Sequence, residues 1–139
     1  MTVPQVFLDT AYAVAFASRT DEHHPRAQAQ AQHIANHRVR LVTTRAVCLE
    51  IGDALSRLRF RPAAIRFLAS IEEAPSVEIV PASEDLCAAA FGLYRQRPDK
   101  EWGLTDCLAF VVMQQRGLAE ALTTDEHFEQ AGFKALLCR

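Results

Sequence analysis

Short apolar runs alternate with longer segments of helical periodicity along this chain. The apolar runs have the length of buried strands and cover residues 6–8, 39–43, 77–80, 121–123 and 133–137. The segments predicted as helices cover residues 11–17, 24–36, 45–58, 62–73, 84–96, 104–116 and 126–131. Buried strands that alternate with helices indicate a parallel sheet covered on both faces. The predicted fold class is therefore α/β.

Two of the helical segments carry further information in their apolar pattern. Segment 104–116 is apolar almost all round, which predicts burial on most sides. Segment 45–58 is amphipathic, and its predicted core face contains Val47, Ile51, Ala54, Leu55 and Leu58. At about 100° per residue, Glu50 then lies at the margin of that face, about 80–90° from its centre, and Asp53 points toward solvent.

The composition is that of one ordinary globular domain spanning residues 1–139, since half of the residues are hydrophobic. No apolar run approaches the ~18 residues of a membrane span, and no secretory signal opens the chain, so we expect a cytoplasmic protein. The four cysteines are scattered singly, which disfavours a disulfide framework or a zinc site. All except Cys138 have apolar neighbours and are expected to be small buried residues.

The charges are unevenly distributed along the chain although the formal net charge is only −2. Residues 1–70 hold nine arginines and five acids, whereas the rest of the chain holds six basic residues and twelve acids. Arginines cluster at residues 38–45 and again at 57–66. Such clusters fit phosphate contact, but taken alone they are better explained as a solvated basic helix face.

Two aspartates follow apolar strands directly, the position at which open α/β sheets bind ligands. Asp9 follows the strand at 6–8, and Asp125 follows the strand at 121–123. Either residue alone is explained by capping of the next helix. Two of them at the carboxyl ends of separate strands favour a site at one edge of the sheet.

Two further acids are candidates for the same site. Glu50 lies at the margin of its helix, where a salt bridge to an arginine explains it as well as a place in the site does. Asp106 begins the apolar helix, where a negative charge near the helix N-terminus is the simpler explanation. Four converging carboxylates raise one another's pKa values, and a divalent cation relieves that conflict. Mg²⁺ or Mn²⁺, which prefer oxygen ligands, would support hydrolysis of phosphate esters there.

Other sites for chemistry are poorly supported. His33 and His37 are four residues apart, but they lack the glutamate of a metalloprotease helix, and His23 and His24 have no third ligand nearby. Nucleotide-binding glycine loops and the nucleophile elbow of hydrolases are absent from the sequence. A phosphatase with a nucleophilic aspartate needs a second acid two residues on, where this chain has Ala11.

The chain resembles a PIN domain, and specifically the VapC-type ribonuclease toxins of bacterial toxin–antitoxin pairs. The resemblance covers nearly the whole length and rests on four segments: FLDT (7–10), TTRAVCLE (43–50), DKEWGLTDC (99–107) and TTDEHFEQAGF (123–133). The acidic quartet of the family falls on Asp9, Glu50, Asp106 and Asp125.

The resemblance implies a three-layer α/β/α fold with a mostly parallel sheet of four to five strands. It also implies Mg²⁺ or Mn²⁺ dependence, endonucleolytic cleavage of RNA to 5′-phosphate and 3′-hydroxyl ends, dimerisation, and inhibition by a small antitoxin protein. Thr10, Thr105 and Thr124 neighbour the acids and either orient them or cap helices. Asp99 either holds its loop or assists a metal. A non-catalytic RNA- or protein-binding module on the same fold is the alternative function.

Overall fold

The computed structural model describes residues 3–138 and contains a five-stranded parallel sheet. The strands are Gln5–Leu8 (β1), Arg40–Thr44 (β2), Val77–Val80 (β3), Glu120–Leu122 (β4) and Lys134–Ala135 (β5). The helices are Thr10–Ala17 (α1), His24–His37 (α2), Arg45–Ala54 (α3), Arg61–Glu73 (α4), Glu84–Gln96 (α5), Leu104–Arg116 (α6) and Glu126–Gln130 (α7). The predicted α/β class and the parallel sheet are confirmed.

The strand order is β3-β2-β1-β4-β5, so the first strand lies in the middle of the sheet. Phe7 pairs with Val42 of β2 on one side and with Ala121 of β4 on the other. The chain therefore builds the sheet outward from β1 in one direction through β3 and then returns to add β4 and β5 on the other side. With this strand order, the right-handed crossover rule puts α1–α4 on one face of the sheet and α5–α7 on the opposite face, which gives three layers.

The core lies between the central strands and the helices that cover them. Phe7 and Leu8 of β1 are fully buried, as are most of the apolar residues of α6, including Phe110 and Met113. The Phe110 ring packs edge-on against Phe128, with ring centroids 5.0 Å apart. The predicted burial of α6 is confirmed, and this packing fixes the N-terminus of α6 relative to the edge of the sheet.

The prediction for α3 was wrong at its C-terminal end. The helix ends at Ala54, four residues earlier than the apolar periodicity indicated, and Leu58 is 86 % exposed. Both Nε and Nη2 of Arg61 donate to the Ser56 carbonyl oxygen, at 3.2 and 2.9 Å, which stabilises a turn between α3 and α4. Leu55 remains buried. Ala54 and Leu58 are thus not part of the core face.

A second prediction was wrong at Cys87, which is exposed on α5, whereas Cys48 and Cys107 are buried as expected. Apolar neighbours in sequence did not decide its burial, because α5 presents only one face to the core. None of the helices between residues 3 and 138 has both the length and the apolar character needed to cross a membrane.

Candidate metal centre

The carboxyl ends of β1 and β4 form the edge of the sheet at which the predicted acids gather. Here the chain connections leave in opposite directions, which opens a crevice in sheets of this kind. Asp9 follows β1 directly, while Thr123 follows β4 and is fully buried. Thr123 Oγ1 donates to Asp9 Oδ2 at 2.8 Å, so the two strand ends are joined by a side-chain hydrogen bond.

Asp9 is a buried carboxylate, with only 7 % of the residue exposed. Burial disfavours its charged form and raises the pKa of Asp9 to about 7. Hydrogen bonds from Thr123 and from the Thr10 backbone lower this pKa, whereas the negative charges of Asp106 and Glu50 raise it. Asp9 occupies the N-cap position of α1 but makes no side-chain capping bond. Helix capping therefore does not explain this aspartate.

Thr123 also contacts the second strand-end aspartate. Its Oγ1 accepts a hydrogen bond from the Asp125 backbone N–H at 3.0 Å while it donates to Asp9. The hydroxyl thereby sets the spacing of Asp9 and Asp125. Sequence reasoning had considered the adjacent Thr124 for such a role, and the structure gives it to Thr123.

Asp125 is the N-cap of α7, and its Oδ1 accepts from the His127 backbone N–H at 2.9 Å. The capping explanation is therefore correct for this residue. The same Oδ1 lies 3.3 Å from Nδ1 of the His127 ring. The capped carboxylate also lies close to Asp106 of α6, so capping and a place in the site are compatible.

Asp106 lies in the first turn of α6, and its Oδ2 accepts from the Gly103 backbone N–H at 3.1 Å. Partial burial raises the pKa of Asp106, and the charge of Asp125 raises it further. The bonds from Gly103 and His127 lower it. The helix N-terminus thus holds an acid whose charged form is disfavoured by its surroundings and by a neighbouring carboxylate.

Glu50 belongs to α3 and is the most solvent-exposed of the four acids. Thr10 Oγ1 donates a hydrogen bond to Glu50 Oε1, which ties α3 to the start of α1 next to Asp9. The arginine pairing considered from the sequence is not what holds it, since Arg45, on the same helix, pairs with Glu72. Asp53 is exposed, as predicted.

The most compact group of ligand atoms contains a residue that sequence reasoning had not selected. One ligand atom each from Asp106, Asp125 and His127 lie within 4.8 Å of one another. The sequence shows only that His127 is the second residue after Asp125, and it does not indicate that the ring turns toward α6. Asp9 and Glu50 adjoin this group through their charges.

Asp99 lies in the loop before α6 and is bound by Arg97, whose Nε and Nη2 donate to the two carboxylate oxygens at 3.0 and 2.9 Å. This pairing lowers the pKa of Asp99 to about 2. The Arg97 guanidinium also lies over the Trp102 ring, 5.3 Å from its centroid. Of the two roles considered for Asp99, holding the loop is the one these contacts support.

The donor set fits a hard divalent cation. It offers carboxylate oxygens, which Mg²⁺ and Mn²⁺ prefer, at a point where burial and mutual repulsion already disfavour negative charge. A bound cation would remove the repulsion among Asp9, Asp106 and Asp125. Every buried side-chain nitrogen and oxygen atom in residues 3–138, including those at this edge of the sheet, has a hydrogen-bond partner.

Comparison with known proteins places this arrangement in a family. Comparison with curated protein sequences gave no significant match. The structure is similar to that of Mycobacterium tuberculosis VapC20, described as a sarcin–ricin loop cleaving toxin, with a TM-score of 0.80 and 25 % identity over 92 % of this chain and 95 % of VapC20. This similarity supports the VapC type within the family. The PIN domain sequence model matches residues 6–134, and the chain therefore belongs to the PIN domain family.

Proposed function

We propose that this protein is a metal-dependent endoribonuclease whose site is formed by Asp9, Glu50, Asp106 and Asp125. The observation that carries the proposal is the buried Asp9, whose pKa is raised to about 7 and which is held by Thr123 next to two further carboxylates. A protein gains no stability from such an arrangement, and raised carboxylate pKa values are typical of functional sites.

The residues have distinct roles in this proposal. Asp9, Asp106 and Asp125 hold Mg²⁺ or Mn²⁺, with Glu50 completing the site directly or through water. The cation, when bound, neutralises phosphate charge and assists ionisation of the attacking water in phosphodiester hydrolysis. Thr123 orients Asp9, and Thr10 orients Glu50. The products would carry 5′-phosphate and 3′-hydroxyl ends.

RNA is the proposed substrate because the PIN family and the VapC20 similarity point to that class. Two of the four arginines of the 57–66 cluster are engaged within the chain, since Arg61 donates to the Ser56 carbonyl and Arg59 lies over the Phe60 ring. Arg57 and Arg66 are exposed and are the members available for phosphate contact.

The biological role we propose is that of the toxin in a type II toxin–antitoxin pair in the cytoplasm. A small antitoxin protein would be its partner, and the toxin would form a homodimer. Growth arrest on expression, relieved by the product of a short adjacent reading frame, is the expected result. Light scattering of the purified chain would test the dimer.

The activity is tested by incubating purified protein with RNA in Mn²⁺, Mg²⁺ or EDTA. We expect cleavage with either metal, none with EDTA, and loss of cleavage in Asp9→Asn. The exposed Asp53→Asn variant, on the same protein, should cleave like the wild type and controls for the loss of one negative charge. Full Mn²⁺-dependent cleavage by Asp9→Asn would refute the assignment of Asp9 to the metal site. RNA binding without cleavage under all conditions would favour a non-catalytic module.

A further inference from the structure

The His127 ring lies between two carboxylates that come from different elements. Its Nδ1 is 3.3 Å from Asp106 Oδ2 at the start of α6 and 3.3 Å from Asp125 Oδ1 at the start of α7. The His127 side chain is 25 % exposed, and it also lines an open cleft of about 310 Å³ bordered by Glu126 and Gln130. The ring is thus held at the carboxylates and is reachable from solvent.

These contacts are longer than ordinary N–H···O bonds, whose usual length is about 2.9–3.0 Å. The backbone of His127 is fixed more firmly, because its N–H donates to Asp125 Oδ1 at 2.9 Å. The ring is therefore placed at the two oxygens by the backbone and is not tightly bonded to either. A nitrogen held in this way is free to exchange a weak hydrogen bond for a metal bond.

The spacing of the three ligand atoms suits one ion. All three lie within 4.8 Å of one another. In an octahedral site with bonds of about 2.1 Å, neighbouring ligand atoms are about 3 Å apart and opposite ones about 4.2 Å. One nitrogen and two oxygens at these separations need only small side-chain movements to meet a single cation.

The type of ligand atom affects which cation is preferred. Carboxylate and water oxygens suit Mg²⁺, whereas imidazole nitrogen suits transition metals. Mn²⁺ accepts both kinds of ligand. A site with one imidazole among its carboxylates should therefore have a higher ratio of Mn²⁺ to Mg²⁺ affinity than a site made of carboxylates alone.

We propose that His127 is a metal ligand of the acidic site, through Nδ1, and that it makes the site selective for Mn²⁺ over Mg²⁺. This inference rests on the proposed function, since it assumes a cation at Asp106 and Asp125. The family quartet is entirely carboxylate, and His127 adds to it a nitrogen that this chain supplies itself.

The direct test is pulsed EPR of the wild-type protein with one equivalent of Mn²⁺, prepared with natural nitrogen and with ¹⁵N-labelled histidine. We expect a nitrogen coupling typical of a bound imidazole, which changes isotope pattern in the labelled sample. His127→Asn should lose it, and His33→Asn, at an exposed position on α2, should keep it. This measurement on the wild type does not depend on the folding of a variant.

The second readout is metal affinity, with Mn²⁺ titrated by EPR and Mg²⁺ measured by competition. Asparagine places an amide group close to the position of Nδ1, so it keeps a polar contact but removes the nitrogen ligand. We expect the ratio of Mn²⁺ to Mg²⁺ affinity to fall by about tenfold in His127→Asn. Far-ultraviolet circular dichroism checks that the variant is folded.

Bound Mn²⁺ without a histidine coupling, or an unchanged affinity ratio in His127→Asn, would overturn the inference. The proposed function would survive that result if Asp9→Asn still weakened Mn²⁺ binding. Failure of the wild type to bind Mn²⁺ at all would overturn both. The two failures are therefore distinguishable in one set of samples.

Discussion

Replacement of Asp9 by asparagine should stabilise the folded protein at neutral pH in the absence of metal. The carboxylate is buried, and its charged form is disfavoured by desolvation and by the charges of Asp106 and Glu50. Asparagine has nearly the same shape and carries no charge. Its amide can donate to Thr123 Oγ1 and accept from the Thr10 backbone N–H, the two groups that now bond the carboxylate.

The magnitude follows from the pKa of Asp9, which rises from 3.8 to about 7 on folding. Between these values the folded state binds the proton more tightly than the unfolded chain, so stability falls as the pH rises from about 4 to about 7 and is level above it. The full cost of the charge is about 4 kcal/mol, at about 1.4 kcal/mol per pH unit. Rearrangement of the hydrogen bonds around the asparagine cancels part of this stabilisation. We therefore expect the free energy of unfolding of Asp9→Asn to exceed that of the wild type by about 1–3 kcal/mol at pH 8 and by about zero at pH 4.

Urea unfolding of both proteins in EDTA, from pH 5 to pH 8, measures this difference through the single tryptophan, Trp102. Thermal unfolding should show a rise of about 3–5 °C per kcal/mol. The exposed Asp53→Asn variant is the control and should follow the wild type at every pH. If Asp9→Asn is no more stable than the wild type at pH 8, or if its advantage does not grow with pH, the reasoning from burial is refuted. Addition of Mn²⁺ should stabilise the wild type and not Asp9→Asn.

Three further outcomes follow from the packing and the site. Thr123→Val removes two hydrogen bonds at the site and should cost about 1–3 kcal/mol and weaken Mn²⁺ binding about 10–100-fold. Thr124→Val should change binding little, and equal effects in the two variants would contradict the bridging role of Thr123. Leu55→Ala should lower the free energy of unfolding in urea by about 2–5 kcal/mol, whereas Leu58→Ser should change it by no more than about 0.5 kcal/mol. A large effect of Leu58→Ser would instead support a helix α3 that extends to Leu58. Phe110→Ala should lower the free energy of unfolding by about 3–5 kcal/mol in the same measurement. A loss below about 1 kcal/mol would show that the ring contacts of Phe110 do not hold α6 in place.

Apolar periodicity predicted every strand and helix of the described chain, with boundaries displaced by a few residues. It failed at Leu58 because a periodic pattern does not register the turn that Arg61 stabilises by bonding the Ser56 carbonyl. That bond joins side chain to backbone across five residues, and no local preference indicates it. The predicted burial of Cys87 was wrong for a related reason, since apolar neighbours in sequence lie on different faces of a helix.

The candidate site was predictable in part. Asp9 and Asp125 could be placed at one edge of the sheet because the carboxyl ends of parallel strands lie together. The orientation of side chains at that edge was not predictable, because it depends on contacts between distant segments. The choice of Thr123 over Thr124 depends on its bond to Asp9, which joins the ends of β4 and β1. The turn of the His127 ring toward Asp106 depends on the contact of α7 with α6.

The bond between Asp9 and Thr123 joins residues 114 positions apart in the chain. Strand β4, which carries Thr123 to this edge, is also among the last parts of the sheet to be synthesised. At about 5–20 residues per second, a ribosome needs about 6–23 s to make the intervening segment. Throughout that time the emerging chain holds Asp9 without the partner that positions it. A growing chain therefore carries no assembled acidic site, and the activity we propose begins only after the fourth strand has joined the sheet.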